Sequence, residues 1–377
     1  MQEIRMVDLK TQYINIKDEI DMAIKSVIDS TAFIRGDEVG LFEDELANFL
    51  DVDNVITCGN GTDALQVALM ALDLEPGDEI ITTDFTFIAT AEVIALLGLK
   101  PVLVEADPDT FNISVSAVRE AITEKTRAIL PVHLFGQCAA MEELLDIADQ
   151  HRLYIIEDTA QALGSEYIFP DGRKAKAGTM GTIGTTSFFP SKNLGCYGDG
   201  GAVFTSDKLL AEKIRSIVNH GMTKKYYHDY IGINSRLDTI QAAILRVKLK
   251  YLDNYNIARA GAASKYYAAL SLINGIKCPG QSSFSTHIFH QYTLQLDPDN
   301  RNPLKDFLAL NSIPSMIYYP VPLHRQKAYK YLKLSDHNYP VTNRLSERVL
   351  SLPMHTELGD DQIDYISSRI LEFFKKI

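Results

Sequence analysis

The sequence predicts an α/β fold: a mostly parallel sheet covered by helices on both faces, followed by a smaller α+β unit. Three observations carry this. Short apolar runs bounded by turn residues recur along the first two thirds of the chain, helical spacing fills several of the intervals between them, and the pattern changes beyond residue 270. At 377 residues, 46% of them hydrophobic, the chain is long enough for a large domain and a second, smaller one. We place the boundary between residues 250 and 251, giving domains 1–250 and 251–377.

In chain order, residues 42–49 and 62–72 (TDALQVALMAL) carry helical apolar spacing. The strands expected next are DEIITT (78–83), KPVLVEAD (100–107), RAILPVHLFG (127–136), LYIIED (153–158), GTTSFF (184–189) and GGAVFTSD (200–207). Helices are expected at SVSAVREAI (114–122) and MEELLDIADQH (141–151). Such alternation favours parallel strands with helices above and below. Ligands on these sheets bind at the carboxyl ends of the strands. A long amphipathic stretch from Leu237 to about Leu270 reads as one helix leaving the sheet. HQYTLQL (290–296), IPSMIYYP (313–320) and a final helix through QIDYISSRILEFF (362–374) compose the smaller α+β unit.

Composition narrows the function. A net charge of −12 argues against a general nucleic-acid binder, because phosphate contacts need clustered Lys and Arg. Cys58, Cys138, Cys196 and Cys278 are scattered without a CxxC or metal-ligand spacing, so reduced thiols and no metal are expected. MQEIRMVDLKTQY lacks the apolar core of a secretion signal, and no apolar run approaches the roughly 20 residues of a membrane span. A cytoplasmic protein is the expectation.

Four stretches at strand ends or helix starts carry chemistry. In CGNGTDAL, Gly59 and Gly61 precede a helix beginning near Thr62, so free N–H groups and the helix dipole point at one spot. That outlines a phosphate or carboxylate cradle, although an ordinary capped helix is the commoner reading of the stretch alone. In IIEDTAQALG an apolar strand delivers Glu157 and Asp158 to its end; an acid there caps a helix, binds a metal or holds a cationic ring nitrogen. In TTDFTFIAT, Phe85 and Phe87 follow a strand, and an aromatic so placed is either core or a plate for a flat heterocycle. SFFPSKNLGCYGDGG sets Lys192 among aromatics and glycines. A solvated loop lysine is the common case, but an amine desolvated there has a lowered pKa and attacks an aldehyde.

A cradle, an aromatic plate, an acid and an amine are together the parts that hold pyridoxal 5'-phosphate, whose ring is an electron sink. In order and wording the chain resembles the DegT/DnrJ/EryC1/StrS family of sugar-nucleotide aminotransferases, which are fold type I pyridoxal phosphate enzymes. The likeness runs from VDLKTQY through GNGTDAL, FTFIATAE, EDTAQ, SFFPSKNLGCYGDGGA and NSRLDTIQAAIL to YYPVPLH and SLPMH. The resemblance implies that Lys192 binds the cofactor aldehyde and shuttles protons, and that Asp158 pairs with the pyridine nitrogen. Gln161 would lie by the ring hydroxyl and Phe87 on the ring, with Gly61, Thr62 and Ser187 around the phosphate. Asn234 would reach a phosphate in a neighbouring subunit, implying a homodimer with composite sites. Thr31, Phe33, Ser191, Tyr318 and Tyr319 would line the substrate pocket. Related chains often carry Gly where this one has Thr31 and His where it has Tyr318.

A histidine replaces the lysine in the family's dehydratase branch, so the retained Lys192 points to transamination. Within the family, the wording is most similar to aminotransferases acting on UDP-2-acetamido-2-deoxy-ribo-hex-3-uluronic acid with glutamate as donor, in surface polysaccharide synthesis. Enzymes of 3-keto or 4-keto deoxyhexoses are the alternative, and a non-catalytic regulator is the least favoured. Arg236, two residues beyond Asn234, is expected to read a uronate carboxylate, because a planar guanidinium takes a carboxylate through two hydrogen bonds.

Overall fold

The computed structural model of the chain describes residues 3–376. Helices α1 (Leu9–Asn15), α2 (Lys17–Ser30) and α3 (Asp37–Leu50) precede the sheet. Strands β1 (Asn54–Cys58), β2 (Glu79–Thr83), β3 (Lys100–Val104), β4 (Thr126–Leu130) and β5 (Tyr154–Asp158) then alternate with α4 (Gly61–Ala71), α5 (Ala89–Leu96), α6 (Val115–Ala121) and α7 (Met141–His151). A small antiparallel hairpin, β6 (Glu166–Ile168) with β7 (Lys174–Lys176), comes before β8 (Ile183–Ser187) and β9 (Gly201–Thr205) complete the sheet.

The strand order is β1-β9-β8-β5-β4-β2-β3. Every neighbouring pair from β8 to β3 is parallel, and only β9 runs against its neighbours β8 and β1. Alternate residues of the strands feed two cores. Ile80, Ala128, Leu130 and Ile156 pack with α4, α5 and α8 (Lys208–Ile217), while Ile81, Ile129 and Ile155 pack with α6 and α7. A sheet buried on both faces needs apolar residues at both parities, which is why its strands read as continuous apolar runs. The mostly parallel, doubly covered sheet expected from the sequence is therefore the sheet observed.

Three local expectations are corrected. The run 127–136 ends as a strand at Leu130 and closes in a one-turn 3-10 segment, Leu134–Gly136. Between them the chain turns to Asp158: the Asp158 N–H donates to the Pro131 carbonyl at 2.9 Å and the His133 N–H to the Asp158 carbonyl at 3.0 Å. The stretch 237–270 is two helices, α9 (Thr239–Leu249) and α10 (Leu252–Leu270). Its apolar positions serve different cores, α9 packing with α3 and α2 and α10 with the C-terminal sheet, so the axis breaks where the partner changes. The third is at the sheet edge, where NVITC (54–58), outside the expected strands, forms β1.

After β9 a short hairpin, β10 (Met222–Lys224) with β11 (Tyr227–His228), leads into α9. Beyond α10, strands β12 (Ile276–Lys277), β13 (Tyr292–Leu296) and β14 (Val349–Leu352) form an antiparallel sheet. It is backed by α11 (Pro298–Leu310), α12 (Pro340–Arg348) and α13 (Asp360–Lys376). Its core holds Tyr266, Leu294, Leu350, Ile366 and Ile370, and Ile4 packs into it from the far end of the chain. No helix among the described residues is long and apolar enough to cross a membrane.

Two glycines test how tightly the sheet is packed. A Cβ at Gly184, in β8, would meet the Gly178 carbonyl oxygen at 2.0 Å, whereas one at Gly40, exposed on α3, meets nothing within 4 Å. Gly184→Ala is expected to destabilise by about 1–3 kcal/mol through overpacking, and Gly40→Ala to stabilise by about 0.5–1 kcal/mol through helix propensity. Urea unfolding of both variants checks the contrast.

Candidate active site

The cradle forms where β1 meets α4. Asn60 caps the helix, its side-chain oxygen accepting the Asp63 N–H at 2.8 Å, while its carbonyl accepts the Ala64 N–H. Among the described residues this leaves the N–H groups of Gly61 and Thr62 without acceptors. Ser187, the last residue of β8, lies against them: a Cβ on Gly61 would fall 2.5 Å from the Ser187 Cβ, so only glycine permits the approach. Free donors at the positive end of an eleven-residue helix, with Thr62 and Ser187 hydroxyls beside them, suit a phosphate.

The acid stands at the end of β5. Asp158 is 6% exposed, and its carboxylate accepts the Thr90 hydroxyl at 3.1 Å and the Ala160 N–H at 3.1 Å. Burial pushes its pKa up, against these two bonds and the nearby charge of Lys192. Lys192 is part-exposed in the loop after β8, and its amine makes no hydrogen bond or ion pair among the described residues. Desolvation pushes its pKa down while the Asp158 charge pulls the other way. An amine so placed is a stronger nucleophile at neutral pH than a surface lysine.

Aromatic rings close one side. Phe87 is 55% exposed after β2, with its ring centroid 6.5 Å from that of Tyr319, while its neighbour Phe85 is fully buried. Gln161 accepts the Phe135 N–H at 2.8 Å and donates to the Tyr319 hydroxyl at 3.1 Å. Tyr319 is held far above the usual tyrosine pKa by burial, and Tyr318 and Ser191 are part-buried nearby in sequence to Tyr319 and Lys192 respectively. Gly61, Thr62, Ser187, Phe87, Asp158, Gln161 and Lys192 thus offer donors, a bare ring face, an acid and an amine that fit pyridoxal phosphate.

The remaining expected residues gather at the edge formed by the loop after α2 and the segment before α9. Thr31 takes a left-handed conformation, φ 54°, one that glycine adopts at no steric cost. Phe33 is 45% exposed, and its carbonyl accepts the Thr239 N–H at 3.0 Å. Asn234 is exposed beside Asn219. Arg236 is part-buried and makes neither an ion pair nor a side-chain hydrogen bond among the described residues. It lines a cavity of about 210 Å³ with Arg35, Glu43, Thr57 and Arg215. Glu43 is already taken by Arg215 at 2.8 Å and by the Thr57 N–H at 2.8 Å, so Arg35 and Arg236 contribute uncompensated positive charge.

Several supports were not legible in the sequence. Glu157, fully buried, accepts from the N–H groups of Gly178, Met180 and Gly181 and pairs with His133 at 2.8 Å, so it braces the strand end from the opposite face. Lys248 on α9, 1% exposed, donates to the Gly195 carbonyl beneath the Lys192 loop and lies over the Tyr197 ring. Asn193 bonds Asn256 and His290, tying the same loop to α10. No motif announced these contacts, which join residues far apart in the chain.

The chain belongs to the DegT/DnrJ/EryC1/StrS aminotransferase family, which matches residues 14–371. Membership makes it a pyridoxal phosphate-dependent aminotransferase of sugar-nucleotide type. It is 45% identical over 374 residues to the pleiotropic regulatory protein of Geobacillus stearothermophilus, covering 99% of each chain. It is 42% identical over 367 residues to the UDP-2-acetamido-2-deoxy-3-oxo-D-glucuronate aminotransferase of Pseudomonas aeruginosa, covering 97% of this chain and 99% of that one. Further relatives, one of them 38% identical, are named transaminases of dTDP-sugars. The crystal structure of DesV from S. venezuelae in complex with a ketimine intermediate superposes with a TM-score of 0.95 at 37% identity, over 100% of both chains.

Burial lowers the Lys248 pKa to about 8. Between that value and the ordinary lysine pKa near 10.4, the unfolded chain binds the proton that the folded chain has lost, so stability rises with pH across this window. The expected gain is on the order of 3 kcal/mol from pH 7 to pH 10. Urea unfolding of the parent and of Lys248→Met, compared at each pH, should show the rise as a difference that the variant lacks.

Proposed function

We propose that the protein transfers the amino group of glutamate to the keto carbon of UDP-2-acetamido-2-deoxy-ribo-hex-3-uluronic acid, for surface polysaccharide synthesis in the cytoplasm. Pyridoxal phosphate, when bound, supplies the electron sink for the carbanion formed as the amino group moves. The residues divide the remaining work. Gly61 and Thr62, with Ser187, bind the phosphate; Phe87 stacks on the ring; Asp158 keeps the pyridine nitrogen protonated; Gln161 lies by the ring hydroxyl. Lys192 holds the cofactor and moves protons at the reacting carbon. Thr31, Phe33, Ser191, Tyr318 and Tyr319 line the sugar pocket. The reading assigns these groups to a cofactor-binding domain, 1–250, and a small domain, 251–377.

Arg236 carries the choice of a uronate. A part-buried guanidinium without a carboxylate partner, in a cavity with a second unpaired arginine, needs an anion, and a C6 carboxylate provides one where a deoxyhexose has a methyl group. The dTDP-sugar relatives favour the second reading, a 3-keto or 4-keto deoxyhexose substrate. Desolvation of Lys192 beside Asp158 counts against a purely regulatory protein, which has no use for a proton shuttle.

Incubation with candidate keto nucleotide sugars and glutamate, with the product identified by mass spectrometry, tests the substrate. Arg236→Ala should cost the keto-uronate on the order of 2–5 kcal/mol in binding and leave a keto-deoxyhexose bearing the same nucleotide little affected. Equal losses on both, or a parent enzyme that prefers the deoxyhexose, would refute the uronate.

Asn234 and the exposed hairpin residues Tyr226, Tyr227 and Ile231 support a homodimer in which one subunit completes its partner's site. Lys192→Ala subunits, inactive alone, and Arg236→Ala subunits, weakened on the keto-uronate, should then together exceed the activity of either on the keto-uronate when mixed and allowed to exchange. A fully active monomer in sedimentation would overturn the composite site.

A further inference from the structure

Asp84 and His324 lie 240 positions apart and meet in the interior. Asp84 follows β2 and begins the loop that ends in Phe87; His324 closes the YYPVPLH segment that carries Tyr318 and Tyr319. Three donors from one segment converge on the single aspartate. The His324 N–H donates to Asp84 Oδ1 at 2.7 Å, His324 Nδ1 to Oδ2 at 2.6 Å, and the Leu323 N–H to the Asp84 carbonyl at 3.2 Å. The Asp84 N–H in turn donates to the Val104 carbonyl at 2.8 Å, anchoring the contact in the sheet. The Asp84 side chain is fully buried, and that of His324 is 2% exposed.

The other ring nitrogen is also engaged. His324 Nε2 lies 2.9 Å from Asp336 Oδ1, Arg325 pairs with Asp336 at 2.7 Å, and the imidazole stacks on Tyr339 at 4.3 Å. An ionised carboxylate accepts and does not donate, so with both acids ionised the ring donates from both nitrogens, although burial pushes the Asp84 pKa up. Burial lowers the His324 pKa, but the bonds to Asp84 and Asp336 outweigh it and leave the net shift upward.

We propose that the Asp84–His324 pair is a positioning device that fixes the separation between the Phe87 loop and the Tyr318–Tyr319 loop, the two walls between which the cofactor and sugar sit. Apart from the bonds to Asp84, the walls meet through apolar packing and ring contacts, Tyr319 with Phe85 at 6.0 Å and with Phe87 at 6.5 Å between centroids. Ring contacts of this kind tolerate sliding, whereas two hydrogen bonds to one buried carboxylate do not. The inference rests on the proposed site, because it takes these loops as walls of the cleft.

Amide hydrogen exchange on the folded protein tests it without substrate. His324→Phe keeps a ring on Tyr339 and the backbone N–H bond to Asp84 but removes both ring N–H groups, one facing Asp84 and one facing Asp336, and should speed exchange in residues 84–92 and 316–326 together, on the order of tenfold, while the distant strands stay protected. His324→Asn keeps a donor at the Nδ1 position and should restore most of the protection in both segments. The holoenzyme should follow: the visible circular dichroism of the bound cofactor should change in His324→Phe and return in His324→Asn. Faster exchange confined to 316–326, a uniform rise across the protein, or equal damage in both variants would overturn the proposal. If His324→Phe does not fold, Asp84→Asn replaces it with the same expected pattern. Coupled exchange in a protein that does not aminate a keto-uronate would leave this inference standing and sink the substrate assignment instead.

Discussion

The end of β5 is the constraint on which the site depends. Glu157 and Asp158 are adjacent in a strand, so their side chains leave on opposite faces of the sheet. Each is buried, and each has a different way of meeting the cost. Glu157 is saturated by three backbone N–H groups and His133, which fixes the 178–181 loop and the strand end as one unit. Among the described residues the Asp158 carboxylate accepts only from Thr90 and Ala160 and stays short of donors, with a raised pKa and an amine nearby. A buried carboxylate in that state attracts a cation or a protonated ring, and its rigid partner behind it keeps it from turning away.

The loop bearing Lys192 illustrates the same division between reactive and saturated groups. The Lys192 amine makes no hydrogen bond among the described residues, while its neighbour Asn193 is fixed through Asn256 and His290, and Gly195 through Lys248. Lys248 and Arg259 are both buried cations whose hydrogen-bond partners are backbone carbonyls, Gly195 for the first and Phe289, His290 and Met354 for the second. Desolvation accordingly lowers both, to about 8 and about 10. Asn193, through Asn256 and His290, joins the Lys192 loop to α10 and to the segment leading into β13, so the loop is fixed by contacts from outside itself as well as by its own conformation.

The alternation of apolar runs and helical spacing was enough for the sheet, because each strand of a doubly covered sheet records its burial in its own residues. The same logic failed where two helices share one apolar pattern: Ile244 and Val247 face one set of partners and Ala262 and Tyr266 another, yet the spacing runs on across the break at Lys250. It also failed at RAILPVHLFG, where Pro131 and the turn beyond it serve Asp158 and not the ladder.

By itself the sequence determined the contiguous parts of the site: the glycine turn at the start of α4, the acid at a strand end, the exposed aromatic after β2 and the lysine among small residues. Each is a local solution, a backbone group or side chain placed by the few residues around it, and so each is written in one short stretch. Tertiary structure alone decided which groups would be saturated and which left reactive. Glu157 rather than Asp158 receives the loop N–H groups, Asp84 meets His324 from the other end of the chain, and Arg236 is left unpaired because Arg215 has taken Glu43. The first two of those outcomes, and the Arg215–Glu43 pair, depend on which distant segments come within hydrogen-bonding distance once both cores have packed, and no local pattern of residues encodes that distance.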